Sequence, residues 1–215
     1  MADARSEVRG NIAQLVVVVL IIVAVQLALP PSVTIGPQWL IPAMELSGIP
    51  IAVLIYRFIG SEGRLLRWTM DAYLIFLVLA CVMNAVLLLV TMLQGSDDSG
   101  TYLLLAGFGV LVINVLSFGL VYWWLDGGGP DRRLANAVTK PDFLFPQQGQ
   151  STSSTWRPGL IDYLFTAYTN IIAFSPTDTM PLTHRVKLLF TLQSSTAVLT
   201  IVVTLSRAIN LIPDG

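Results

Sequence analysis

The sequence predicts an all-α integral membrane protein with five transmembrane helices plus a re-entrant, pore-type half-helix and loop. Three observations lead there. Of 215 residues, 54% are hydrophobic and 12% charged, where a soluble domain carries about 25% charge. Five apolar runs are long enough to cross a hydrocarbon layer of ~30 Å. Near the C-terminus, LIDYLFTAYTNIIAF is followed by SPTDTMPLTHR and then by VKLLFTLQSSTAVLTIVVTLSRAINLI. The first piece is too short to cross a bilayer and the last is long enough. Lipid tolerates the Pro, Thr, Asp and Ser between them only where protein or water covers them.

The first run, residues 11–29, follows Arg5 and Arg9 in the manner of a signal peptide. AVQLALPP fits a cleavage site poorly, so the run reads as an uncleaved first helix, with a signal peptide as the alternative. Runs at 39–58, 69–93 and 102–125 come next, separated by the turns PPSVTIGP, GSEGR and QGSDDSG. Short turns favour a hairpin array of four helices. Trp68, Trp123 and Trp124 stand at helix ends, where amphipathic rings favour the interface. Residues 126–158 hold a glycine triplet, prolines and QQGQSTSST, with little helical period. They read as an exposed loop, with FLF at 143–145 docking on the membrane or on the protein surface. The final run, 185–212, is longer than needed and should tilt or project. The chain thus divides into a four-helix region at 1–125, the exposed loop at 126–158, and the half-helix, polar loop and last helix at 159–215.

Orientation follows from Lys and Arg. Alternating the five spans puts Arg5, Arg9, Arg57, Arg64, Arg67, Arg132, Arg133, Lys140, Arg157, Arg185 and Lys187 on one side, leaving Arg207 of the 12 basic residues near the other. The positive-inside rule makes the first side cytoplasmic. The expected location is the cell inner (plasma) membrane, with the N-terminus and the 126–158 loop in the cytoplasm and the C-terminus outside.

Several function classes fall away. One cysteine, Cys81, permits no internal disulfide, and one histidine, His184, permits no multi-histidine metal site. No cofactor or structural metal is expected. GFG at 107–109 lies within a helix, and GGG at 127–129 lacks the lysine and spacing of a phosphate loop. The net charge of −1 points to no partner, and nothing calls for nucleic acid. Ser175, His184 and Asp178 could be assembled as a hydrolytic triad, but no nucleophile elbow surrounds them. No enzyme is expected.

From Asp162 onward the chain resembles the pore-loop module of tetrameric potassium-type cation channels, whose filter reads T-x-G-Y-G-D-x-x-P. DYLFTAYTNIIAF stands where the pore helix would be, and SPTD-TM-P where GYGD-x-x-P would be. Asp178 and Pro181 fall on the family's Asp and Pro, and Arg185 and Lys187 follow near the start of the next helix. The segment is also similar to bacterial membrane proteins that carry AFSPTDTMPL ahead of a helix with Q-S and R-A-x-N. The resemblance covers roughly a quarter of the chain, or nearly half if the helix at 102–125 is the outer helix. It departs at the filter, where Ser175, Pro176 and Thr177 replace the glycines. A potassium-selective carbonyl ladder needs glycine's left-handed freedom, and Pro fixes its own φ. It also departs in sidedness. Potassium channels insert the loop from outside, whereas the charge rule puts this one inside. An inverted loop, as in glutamate receptors, or a 39–58 segment that does not span, would reconcile the two.

The resemblance implies a homo-oligomer, four copies by preference, with Asp178 repeated around a pore mouth and attracting monovalent cations. The alternative is that Asp178 caps its loop through backbone N–H bonds while Pro181 starts the final helix. Ser175, Thr177 and Thr179 could offer oxygen ligands around Pro176, or simply form the turn. Gln193, Thr196 and Thr200 share one face of the last helix. Together with Ser194 and Ser195 they either line water or bond a neighbouring helix, the second being the commoner use. Glu45 is a carboxylate well inside an early span. It either serves protons or a cation, or bonds Asn84, Asn114 or Arg57, or snorkels to an interface. Arg207 suits a helix C-terminus through the dipole alone. The leading expectation is a channel-like pore-loop protein that passes cations through an oligomeric pore. The alternatives are a non-conducting accessory or assembly subunit, and an ion-coupled transporter working through Glu45.

Overall fold

A computed structural model describes residues 2–59, 64–94, 100–134, 140–149, 156–172 and 179–210. The described residues are all-α apart from one short strand pair. Its helices are α1 (Ala2–Ala28), α2 (Leu40–Ile59), α3 (Arg64–Gln94), α4 (Gly100–Leu125), α5 (Pro130–Leu134), α6 (Leu160–Ile172) and α7 (His184–Asn210). The strands β1 (Phe143–Leu144) and β2 (Met180–Pro181) pair antiparallel, Phe143 opposite Pro181 and Leu144 opposite Met180.

Among the described residues three helices are long and apolar enough to cross a membrane: Arg64–Gln94, Gly100–Gly128 and His184–Ile209. Five spans were expected. Among the described residues the apolar stretches of the other two helices are Ala13–Ala28 and Leu40–Ile51, each of 10–17 residues.

The chain divides into two compact units, Met1–Val17 with Phe118–Ser194, and Val18–Ser117 with Ser195–Gly215. In the second unit α3 buries Leu66, Met70, Leu74, Leu77, Cys81, Asn84, Leu88 and Thr91 along one helical stripe. Its other side shows Trp68, Ile75, Leu79 and Leu93. A helix apolar on all sides belongs in a membrane or a core. Close approaches rest on glycines. A Cβ on Gly48 of α2 would come within 2.1 Å of the Tyr73 ring, and one on Gly107 of α4 within 2.1 Å of Thr204 Oγ1. The link from α1 to α2 is tied back by side chains. Gln38 Nε2 donates to the Leu27 and Leu29 carbonyls (2.8 and 3.1 Å), and Thr91 Oγ1 donates to the Ser32 carbonyl (2.9 Å).

In the first unit α4 ends in the triplet Gly127–Gly129, where all three residues take positive φ (59°, 88° and 112°). Side chains avoid that conformation, so the triplet is a backbone device for leaving the helix. The stretch expected to be an exposed loop is in part docked. Asp126, Arg133, Asp142, Phe143 and Phe145 are buried. FLF docks on protein: the Phe143 ring lies 5.5 Å from Tyr122, 5.7 Å from Tyr163 and 5.9 Å from Phe190. Phe145 packs edge-on to Tyr163 at 5.3 Å and lies 5.6 Å from Trp156. The strand alternation turns Leu144, between them, outward.

Candidate functional site

α6 begins on its own cap. The Gly159 N–H donates to Asp162 Oδ2 at 2.7 Å, giving one of the first-turn donors an anionic partner where the helix dipole favours it. The helix is two-faced, with Leu160, Tyr163, Thr166, Ala167, Asn170 and Ile171 buried. Ile161, Phe165, Tyr168 and Ile172 are exposed. It lies close to α4 because Gly119 has no side chain. A Cβ there would be 2.6 Å from Leu164 Cδ2 and 3.1 Å from the Leu164 Cα.

Two carboxylates hold the head of this assembly. Asp126 Oδ1 accepts from the Asp142 and Phe143 backbone N–H groups (2.8 and 3.3 Å), and Oδ2 accepts from the Tyr163 hydroxyl. Asp142 Oδ1 accepts from Thr183 Oγ1 (2.7 Å) and Arg185 Nε (2.8 Å). Its Oδ2 accepts from Arg185 Nη2 and from the Gly127 N–H (3.2 Å). The Arg185–Asp142 contact is thus a two-point ion pair, the strong form of charge-assisted bonding. Arg133 adds a bond from Nη1 to the Asp126 carbonyl (2.6 Å), and its guanidinium sits 5.1 Å from the Tyr163 ring centroid. Burial alone would raise the Asp142 carboxyl, but the Arg185 and Thr183 donors, the Arg185 charge and the Gly127 N–H outweigh it. The net effect holds Asp142 below the ordinary carboxylate value.

The foot of α6 is fastened to α7. Gln193 Nε2 donates to the Ala167 carbonyl (3.0 Å), while Gln193 Oε1 accepts from Asn170 Nδ2 (2.8 Å) and from the Tyr122 hydroxyl (2.7 Å). Asn170 Nδ2 also reaches the Phe190 carbonyl at 3.3 Å. The starts of α6 and α7 therefore meet at the Asp126–Asp142 clasp, and the end of α6 lies beside the third turn of α7. By Thr179 the chain has come back to the level of Thr166, whose Oγ1 lies 3.4 Å from Thr179 Oγ1. The Leu182 N–H then closes onto the Asp142 carbonyl at 2.8 Å.

Of the expected loop ligands, Ser175, Pro176, Thr177 and Asp178 lie outside the described residues, and Thr179 is buried. Gln193, Thr196 and Thr200 are all buried. Gln193 is bonded to α4 and α6, and Thr200 Oγ1 donates to the Thr196 carbonyl on its own helix (2.9 Å). His184 is exposed at the start of α7, and the other two members of the triad considered above lie outside the described residues. Among the described residues no group of three His, Cys, Asp or Glu could hold a metal ion. Asp126, Asp142, Tyr122 and Asn170 escaped the sequence reading. The available signal was an Asp directly after an apolar helix and an Asn inside a short one.

The second unit has its own polar centre. Glu45 is 1% exposed, and its Oε2 finds no hydrogen-bond partner among the described residues. Its backbone carbonyl accepts from the Tyr73 hydroxyl at 2.7 Å. Asn84 pairs with Gln26 through two amide bonds (2.6 and 3.4 Å), so it is taken by α1. Asn114 hydrogen-bonds Cys81.

Fold and site together define a class of protein: an all-α chain with three helices apolar enough to cross a membrane and a short helix fastened between α4 and α7. Comparison with protein-family models, curated proteins and solved structures finds no match. Function is therefore inferred from the chain's own geometry.

Proposed function

We propose that the protein is a channel-like pore-loop subunit of the cell inner membrane. In this reading α1 and α2 join the three apolar helices as spans, and α6 is a re-entrant half-helix dipping in from the cytoplasmic side. Four copies surround a path for monovalent cations. The observation that carries the reading is the course of the chain in the first unit. α6 and α7 start at one clasp, α6 descends only as far as Gln193, and Thr179 is already back beside Thr166. A half-helix that descends and returns on the same side is how membrane proteins bring non-helical backbone to depth. The C-terminal end of α6 carries partial negative charge, and residues 173–178, which include Asp178, follow it in sequence. Both features favour a cation. Without filter glycines, selectivity would rest on Asp178 and the loop carbonyls.

The second reading is a non-conducting accessory or assembly subunit. One observation favours it: Asn170, Gln193, Thr166 and Thr169 bond within the protomer, as in a loop built for rigidity. Cation flux into proteoliposomes separates the two. Flux in the wild type that Asp178→Asn reduces severalfold supports the pore. Zero flux in both, with the protein folded and inserted, supports the accessory role.

A further inference from the structure

Glu45 is an unusual residue to find in the interior of the second unit. Its side chain is 1% exposed, Oε2 has no partner among the described residues, and the one salt bridge among them joins Arg185 and Asp142. Asn84, one of the partners the sequence offers Glu45, is held by Gln26. Among the described residues, Tyr73 and Cys81 on α3 feel the charge of Glu45, and both are uncharged when protonated. Neither supplies positive charge. An ionised carboxylate without a counter-charge is far more costly to bury than the neutral acid. A cation would need several oxygens converging on one point, and among the described residues no group of three His, Cys, Asp or Glu could hold a metal ion. The ligand that fits one lone carboxylate oxygen in an apolar interior is a proton.

The backbone around Glu45 is built to yield. Pro50 stands inside α2 and cannot give the Leu46 carbonyl its helical N–H bond. The break falls beside Glu45, whose own carbonyl is braced by Tyr73. Gly48, between them, holds the Tyr73 ring at a distance that admits no Cβ. α2 is thus weakened next to a buried acid and clamped to α3 at the same place.

We propose that Glu45 is a proton-binding site within the helix bundle, neutral at rest, which exchanges its proton with water when α2 flexes at Pro50. The proposal stands whether or not the α6 loop conducts.

A hydrophobic carbodiimide, dicyclohexylcarbodiimide, tests it on the intact protein in detergent or liposomes. The reagent adds only to a protonated carboxyl. The acid oxygen bonds to the central carbon, the acid proton passes to nitrogen, and an O-to-N acyl shift leaves a stable N-acylurea. Peptide mapping of the wild type should find the adduct on Glu45, with the rate falling about tenfold per pH unit once the carboxyl ionises. Glu45→Gln should lose the adduct. If that variant does not fold, Glu45→Asp should keep a pH-dependent adduct at the same position. Folded wild type that is never labelled at Glu45 overturns the proposal. So does labelling that stays constant from about pH 5 to about pH 9, which would mean a proton permanently fixed. Cation flux through the α6 loop is read separately with Asp178→Asn, so either proposal can fail alone.

Discussion

Arg185 grips Asp142 with two N–H groups across 43 positions of sequence, and so ties the segment after α4 to the first turn of α7. Asp142 is fully buried while the Arg185 side chain is 53% exposed. Water therefore screens part of the attraction, and the contact's worth lies between that of a surface pair and a buried one.

Arg185→Ala should lower stability by about 1–3 kcal/mol, the range for a charge-assisted bond with one exposed partner. The pH dependence has a defined sign. The folded Asp142 carboxyl lies below its ordinary value of 3.8, so its contribution is present above that pH and is lost as pH falls through the lower folded value. Melting of the detergent-solubilised protein on an acid series reads this. Wild type should lose stability below about pH 4, and Asp142→Asn should flatten that part of the curve.

Gly119→Ala should cost about 1–3 kcal/mol, because the new methyl meets the Leu164 backbone as well as its side chain. Gly159→Ala is the control. Its nearest neighbour, Asp162 Oδ2, is 3.7 Å away, so the change should fall within about 0.5 kcal/mol. Thermal unfolding of the two variants side by side decides it, and equal effects would contradict the α4–α6 packing.

Gln193→Leu strips partners from the Tyr122 hydroxyl, the Asn170 amide and the Ala167 carbonyl at once. A loss of about 1–3 kcal/mol is expected. Adding Tyr122→Phe should cost less than it does in the wild type, since the hydroxyl is already orphaned. The double-mutant cycle should return a coupling of about 0.5–2 kcal/mol. Strict additivity would mean the two side chains do not meet.

A cysteine at Gln148, which is exposed, reports the side of the loop, and Cys81 is buried and should stay silent. With Gln148→Cys in spheroplasts, a membrane-impermeant thiol reagent should react only after the membrane is opened. Labelling of intact spheroplasts would reverse the orientation drawn from the basic residues.

Part of this molecule was legible from local signals. Composition marked the membrane class, and the short apolar segment before SPTD marked α6, because length and apolarity belong to contiguous residues. Glu45 and Gln193 stood out because a polar group in an apolar run is conspicuous wherever it points. The clasp was not legible. Asp126, Asp142, Tyr163 and Arg185 sit in different segments, and nothing in any one segment names its partners. FLF at 143–145 was ambiguous for the same reason, since three exposed apolar residues and three docked ones look alike in sequence.

Sequence alone determined that helices form, roughly where they start and stop, and that the chain breaks between α6 and α7. Those properties follow from turn-by-turn hydrogen bonding and the transfer of apolar side chains. Tertiary structure decided which polar groups are satisfied and which are not. It paired Asn84 with Gln26, spent Gln193 on Tyr122 and Asn170, and left Glu45 Oε2 without a partner among the described residues. The physical reason is that a hydrogen bond within an apolar interior depends on position to within a few tenths of an ångström. That precision arises only when distant segments are packed together.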